Sequence, residues 1–297
     1  MPKILSYGSL NLDYVYRVPH FVAPGETLAP SGRDIHCGGK GLNQSVAAAR
    51  AGGTVFHAGK VGGDGQALLA MLTQNAIDTQ FVTTSDAPTG HAIIQVEPGG
   101  QNCILLFGGS NREITQGEID RAVLHFGPGD WLILQNEISN VEYLIGAAAR
   151  RGMSIAFNPS PFEAEPFEFP LHLLSLLIFN EIEGATLAGS DDENVILDRL
   201  RQRLPNTGLL MTLGRRGCVY DDGTQRLAQP AYPVKAVDTT AAGDTFAGYF
   251  IACLSGGMSP ARCLALASRA AAIAVSKPGA APSIPTMQEV LLAHGTV

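Results

Sequence analysis

Residues 237–248 read VDTTAAGDTFAG, a composition suited to handling a transferred anion. Ala241, Ala242 and Gly243 leave backbone N–H groups open at the start of a helix, where the first amides lack intrahelical partners and the helix dipole favours negative charge. Such amides can stabilise charge on a phosphoryl group in transit. Asp244 falls in the same first turn. Its charge can serve the helix alone, but a carboxylate beside an anion hole is also where a hydroxyl nucleophile would lose its proton.

A second cluster is GGKGLN, Gly38 to Asn43. Its glycines permit close backbone approach, Lys40 brings mobile donors, and Asn43 stands at a helix start where it can cap or bind. The same letters suit a tight turn before a helix, and the spacing is neither GxxxxGK[ST] nor GxGxxG. Asn11 and Asp13 follow a strand one residue apart, so an amide and a carboxylate share one side if the strand continues. That pair can grip vicinal hydroxyls or simply cap a turn. Asn180 and Glu183 share a face if a helix starts there, and a carboxylate so placed can order water around Mg²⁺. Thr212 to Gly217, TLGRRG, sets a hydroxyl, two glycines and two arginines after a strand, either near phosphates or in an ordinary strand-to-helix connection.

The elements that must position these residues alternate. KILSY, TVFHAGKVG, WLILQ, SIAFNPSP, LLSLLIFN and GLLMTLGRRG read as strands or strand-bearing segments. LNQSVAAARAG, DGQALLAMLTQNAI, VEYLIGAAARRG, ENVILDRLRQRL within 183–204, AAGDTFAGYFIACLSGG and PARCLALASRAAAIAVS read as helices. Strand alternating with helix predicts an α/β fold. Residues 88–107 break the rhythm, with alternation on both sides of Glu97-Pro98-Gly99-Gly100 predicting a hairpin. With the segments near 12–18 and 31–37 it could form a small separate sheet. Val234–Val237 is expected to form a further strand. No fixed-period repeat or flexible linker divides the chain.

Of 297 residues, 34 are glycine against an average of roughly 7%. The formal net charge of −7 repels a polyanion on average, which makes a nonspecific nucleic-acid surface an expensive reading and leaves room for a local anion site. Cys37, Cys103, Cys218, Cys253 and Cys263 show no CxxC spacing and an odd count, so reduced thiols are the simpler account. No secretory h-region or membrane span is present, which predicts a soluble cytoplasmic protein.

From GSLNLD through GGKGLNQSVAAARAG, KVGGDG, NEIE, TLGRRG and VDTTAAGDTFAG to AAAIAVSKPGAAPSIP, the chain resembles the pfkB, or ribokinase-like, carbohydrate kinases almost end to end. The resemblance implies a three-layer α/β/α unit with a small β-sheet lid, and transfer of the γ-phosphoryl group of ATP to a sugar hydroxymethyl oxygen. Asp244 then looks like the catalytic base, with Ala242 and Gly243 in the anion hole. Asn11, Asp13, Gly39, Lys40, Gly41, Asn43 and Glu137 look like sugar ligands, and Glu137 favours ribose, phosphorylated on its 5-hydroxyl. Deoxyribose, fructose or a nucleoside are the alternative acceptors, and a binding regulator without turnover is the alternative class.

For the nucleotide, the resemblance assigns Asn180, Thr212, Leu213, Gly214, Arg215, Arg216, Gly217 and Gly243. Ser268 stands near adenine where a familiar member has histidine. Glu183 is assigned to hydrated Mg²⁺, and Asp238, Thr240, Ala274, Lys277, Gly279 and Ser283 to a monovalent cation, usually K⁺, held mostly by carbonyls. Ser110-Asn111 follows two glycines where GAN is common in the family. A homodimer through the lid is expected on the same basis, with no nucleic-acid or membrane partner.

Overall fold

The computed structural model describes residues 2–162 and 169–293. In chain order the strands are β1 Lys3–Tyr7, β2 Asn11–Arg17, β3 Gly32–Gly38, β4 Thr54–Val61, β5 Asp78–Thr84, β6 Gly90–Val96, β7 Asn102–Phe107, β8 Trp131–Gln135, β9 Ser154–Asn158, β10 Leu176–Asn180, β11 Gly208–Thr212, β12 Cys218–Asp221 and β13 Arg226–Gln229. The helices are α1 Lys40–Arg50, α2 Gln66–Gln74, α3 Gln116–Val123, α4 Val141–Arg150, α5 Glu181–Ala188, α6 Glu193–Arg203, α7 Ala242–Ser255, α8 Pro260–Val275 and α9 Met287–Leu292.

The main sheet runs β13-β12-β11-β10-β9-β8-β1-β4-β5. It is parallel from β11 to β5, with β12 and β13 antiparallel at one edge. Its inner strands are apolar on both faces, as a parallel sheet covered by helices requires. Alternate side chains feed two cores. Ile4, Ile133, Ile178 and Leu210 pack with α1, α2, α7 and α8. Leu5, Leu132, Leu134, Leu177, Phe179 and Leu209 pack with α3, α4, α5 and α6. Helices on both faces of one sheet make the expected three-layer α/β/α arrangement.

The second sheet is β3-β2-β6-β7, separate from the first. Its strands occupy the segments near 12–18, 31–37 and 88–107. One row across it reads His36, Asp13, Ala92 and Leu106, placing these residues on one face. Asn11 and Asp13 share that face because β2 runs straight through both.

One expected strand does not form: Val234–Val237 is irregular. The amides of Val237 and Asp238 instead both donate to the carbonyl of Val275 at 2.8 and 3.2 Å, which ties this loop to the end of α8. The stretch 183–204 also divides, into α5 and α6, with Gly189 in the left-handed conformation at the C-cap of α5.

Candidate active site

The C-terminal ends of the parallel strands gather the polar residues, as expected for an α/β sheet. Ser9 follows β1 and Glu137 follows β8, while Asn158, Asn180 and Thr212 end β9, β10 and β11. Each strand thus delivers one or two side chains to the same edge.

One polar cluster is built around the start of α1. Gly39 is its N-cap at φ +94°, a conformation that a side chain would strain, and its position lies against the backbone of Ser9. A Cβ on Gly41 would run into the backbone of Gly8 and Ser9, so the loop after β1 and the first turn of α1 touch main chain to main chain. Ser9 donates through its hydroxyl to Glu137 Oε2, and the Lys40 amide donates to the same oxygen at 3.1 Å. Glu137 is therefore a fixed ligand of the loop, not a solvated strand end. Burial raises its pKa, opposed by Lys40 and by these hydrogen bonds. Burial disfavours charge on Lys40 too, yet Asp244, Glu137 and Glu183 outweigh it and hold the ammonium pKa above its usual value.

Asp13 joins this cluster from the small sheet. Its carboxylate leans over Gly38, where any side chain would overlap it. Burial and the nearby Glu137 push its pKa up to about 7. Asn11, 4% exposed, accepts from Asn111 Nδ2 at 2.8 Å. Asn111 also clasps both backbone groups of Leu10, at 3.0 and 3.2 Å. This asparagine therefore fixes the strand entry into the small sheet.

Asp244 is delivered by the first turn of α7 and is 8% exposed. Asn43 Nδ2 donates to its Oδ2 at 3.1 Å and Gln44 Nε2 to its Oδ1 at 3.0 Å. Asn43 does not cap α1, which has no side-chain cap, and sits in its second turn instead. Its buried Oδ1 has no hydrogen-bond partner, an acceptor suited to a ligand hydroxyl. Ahead of Asp244, Ala241 takes a left-handed conformation at φ 60°, uncommon without glycine and frequent at functional sites. The Ala242 amide donates to Thr239 at 3.3 Å. The amides of Gly243 and Asp244 follow it in the first turn, among those a helix leaves without an internal partner.

Next to Asp244, a cavity of about 240 Å³ is lined by Lys40, Asn180, Glu183, Thr212, Gly243 and Asp244 among others. Ala242, Asn158, Ser160 and Thr239 also line it. Asn180 and Glu183 form a reciprocal capping box: each side chain accepts from the other's amide at 2.9 Å. Their spacing therefore has a structural use, while the Glu183 carboxylate, 5% exposed, still borders the cavity.

The TLGRRG segment divides. Thr212 borders the cavity, Leu213 is buried, and Gly214 and Gly217 turn the chain at φ +53° and +105°. Arg216 is paired with both Glu181 and Glu193 on the surface. Ser268 is buried in α8, its hydroxyl 3.8 Å from Cys218 Sγ. None of Arg215, Arg216 and Ser268 lines the cavity.

The Asp238 carboxylate bridges two loops, accepting from the amides of Thr240 and Gly279, both at 2.9 Å. Burial opposes its ionisation, but these hydrogen bonds prevail and lower its pKa. Ala274 and Ser283 lie on the same flank, where the Lys277 amide donates to Ala274 O at 3.1 Å and Ser283 Oγ to Ala280 O at 2.8 Å. The Lys277 ammonium turns away to Glu289, 3.0 Å distant, leaving its carbonyl as the group that could serve a cation.

Sequence reasoning missed Ser9, Gln44, Gln135 and Asn111 as site-building residues. Ser9 and Gln44 lie inside the motifs already singled out, but nothing in their spacing says which partner they bond. Asn111 stands out in the sequence only as part of Ser110-Asn111, and its partners, like those of Gln135, are set by tertiary contact.

The whole arrangement has counterparts in known proteins. The pfkB family carbohydrate kinase model matches residues 1–287. The chain is 36% identical to the ribokinase of Haemophilus influenzae, over 96% of this chain and 95% of that one. It superposes on the ribokinase of Cryptococcus neoformans in complex with ADP at a TM-score of 0.85, with 34% identity, covering 98% and 99% of the two chains. The Arabidopsis thaliana ribokinase complexed with ribose and ATP gives 0.86 with 26% identity, covering 98% and 97%. With the family model covering nearly the whole chain and its motifs assembled at one edge of the sheet, this protein belongs to the pfkB family of carbohydrate kinases.

Proposed function

We propose that the chain is an ATP-dependent ribokinase, transferring the γ-phosphoryl group to the 5-hydroxyl of D-ribose. One observation carries this reading: Asp244 stands between the cluster of Asp13, Lys40, Asn43 and Glu137 and the cavity lined by Asn180, Glu183 and Thr212. A hydroxyl acceptor held on one side and a phosphate chain on the other would meet at its carboxylate. The ribose and ATP complex of the Arabidopsis relative supports the assignment of substrates.

Asn11, Asp13, Asn43 and Glu137, with the amides around Gly39 to Gly41, would bind the sugar hydroxyls. Asp244 takes the proton of the 5-hydroxyl while that oxygen bonds the γ-phosphorus and the bond to the β–γ bridging oxygen breaks, releasing ADP. The amides of Gly243 and Asp244, with Lys40, face the charge on the transferred group. Gly214 and Gly217 turn the chain after Thr212, with Gly217 packed against the backbone of Gln229 and Ala231.

Glu183 fits hydrated Mg²⁺, because its carboxylate borders the cavity while the capping box fixes its direction. When bound to the phosphates, Mg²⁺ supplies neutralising charge. The ionised Asp238, held between the Thr240 and Gly279 loops, fits a monovalent cation such as K⁺, with the carbonyls of Ala274, Lys277, Gly279 and Ser283 as its surroundings. This flank orders the loop leading into Ala241.

The small sheet would act as the lid over the sugar. All residues of its edge strand β7 are exposed, and Ile104, Leu105, Leu106 and Phe107 form an apolar strip next to Ile93. An unpaired apolar edge invites a second copy, giving a homodimer through the lid. The five free thiols suit a reducing cytoplasm.

The deciding experiment is a product-resolved assay of purified protein with ATP, Mg²⁺ and K⁺ over ribose, deoxyribose, fructose and nucleosides. Ribose 5-phosphate with the highest kcat/KM is expected, and Asp244→Asn should nearly abolish it while sugar and ATP still bind. A higher kcat/KM for another acceptor overturns the choice of ribose. Binding of both ligands without turnover would make the protein a regulator.

A further inference from the structure

Both oxygens of Asp244 accept a hydrogen bond, but the two donors differ in kind. Asn43, at Oδ2, belongs to the sugar cluster and has a second buried atom free for a hydroxyl. Gln44, at Oδ1, is 1% exposed and has its own oxygen occupied: Gln135 Nε2 donates to Gln44 Oε1 at 2.7 Å. Gln135 ends β8, is fully buried, and packs its amide against Gly8, where a Cβ would overlap it.

An amide has a donor end and an acceptor end, so this chain has a direction. The Asp244 carboxylate only accepts, so it draws the Gln44 N–H toward itself, and the Gln44 oxygen in turn takes the Gln135 N–H, while Gln135 Oε1 is buried without a hydrogen-bond partner. Reversing the Gln44 amide would set its oxygen against the carboxylate and lose the bond to Asp244 in a buried site where water cannot replace it.

We infer that Gln44 and Gln135 are positioning residues: they anchor Asp244 Oδ1 from inside the protein and thereby leave Oδ2 as the oxygen that takes the substrate proton. The inference rests on the reading of Asp244 as the base. The balance of the step is unchanged, with one proton passing from the 5-hydroxyl to Oδ2. The anchor keeps Oδ2 aimed along the path of in-line attack, which a freely rotating carboxylate would leave.

The test uses Gln44→Met and Gln135→Met, which keep length and remove the amide. A hydrogen bond to a charged group is worth about tenfold to a hundredfold in rate, so Gln44→Met should lower kcat by that factor. Gln135→Met, one bond further away, should lower kcat by about threefold to tenfold on the scale of a neutral hydrogen bond. KM for sugar and for ATP should change less than about twofold in both, since only groups acting on the transition state are lost. In an Asp244→Asn background neither substitution should lower the residual turnover further, whereas a packing defect would lower it in either background. Melting temperature identifies a variant that fails to fold, and if Gln44→Met does so, Gln135→Met decides. An active wild type with unchanged kcat in the folded variants, or losses that persist in the Asp244→Asn background, overturns the positioning role alone. A wild type that phosphorylates no acceptor overturns the kinase reading and this inference with it.

Discussion

Gly248 of α7 meets Ala47 of α1 so closely that a Cβ on the glycine would lie 2.5 Å from the Ala47 Cβ and 2.6 Å from the Gln44 carbonyl oxygen. Gly248 stands one turn after Asp244, so this approach is what brings Asn43 and Gln44 within reach of the carboxylate. Alanine in place of a helical glycine normally gains about 1 kcal/mol. Here overpacking, at about 1–3 kcal/mol, should win because a backbone atom stands in the way. Gly248→Ala is expected to lower both the melting temperature and kcat, and Gly248→Val to do so more. A more stable alanine variant with full activity would show that the helices separate freely.

Asp13 gives the protein a pH signature. Its pKa rises from 3.8 to about 7 on folding, through burial and Glu137. Between these values the folded chain keeps a proton that the unfolded chain has released, so this group's contribution falls as pH rises and is lost above about 7. Asp13→Asn should therefore melt higher than wild type above pH 7, with the difference shrinking as pH falls toward 4. Melting curves of the pair across that range check it; a constant difference means that Asp13 does not titrate there. The sugar KM of the wild type should fall as pH rises through about 7, where the carboxylate becomes a full acceptor.

Arg216 lies in the glycine-flanked turn expected near ATP, yet both of its arms are taken by Glu181 and Glu193. Exposed pairs of this kind contribute little to stability. Arg216→Ala should change KM for ATP less than about threefold, because one charge-assisted bond would be worth more than that. A tenfold rise in KM would mean that the arginine leaves its carboxylates for the nucleotide.

The Asp238 bridge makes K⁺ dependence measurable. At fixed ionic strength, replacing a large inert monovalent cation by K⁺ should raise the wild-type rate, and Asp238→Asn should abolish that response while Mg²⁺ dependence remains. Equal rates in the two salts for the wild type would remove the cation from this loop.

The apolar edge strand predicts its own disruption. Leu105 is 68% exposed and Phe107 50% exposed. Lysine at both positions should yield a monomer by light scattering, with kcat/KM for sugar reduced if the paired lids support each other. A wild type that is already monomeric would refute the dimer.

Much of this molecule is legible in one dimension. The alternation of apolar strands with alanine-rich helices specifies an α/β sheet, because successive residues along a buried strand must feed opposite cores, as Ile4 and Leu5 show. The small residues before Asp244 mark an anion hole because backbone N–H groups need no particular side chain, only the lack of a bulky one. Val234–Val237, in contrast, has strand-forming residues but lies on the end of α8, where the Val275 carbonyl accepts from the amides of Val237 and Asp238 in place of a neighbouring strand.

What the fold alone decides is pairing between distant residues. Asn43 and Asp244 are 201 positions apart, and Gln135 and Gln44 are 91 apart, yet each pair is a buried hydrogen bond. No local periodicity can encode such a distance; it follows from how closely α1 packs against α7 and where β8 ends. Asn180 and Glu183 show the reverse. Their spacing is readable along the chain, but only the structure reveals a capping box beside the cavity. The sequence by itself determined which chemical groups are present and which elements carry them, and the tertiary structure determined which of those groups face one another, because burial and direction belong to packing rather than to order along the chain.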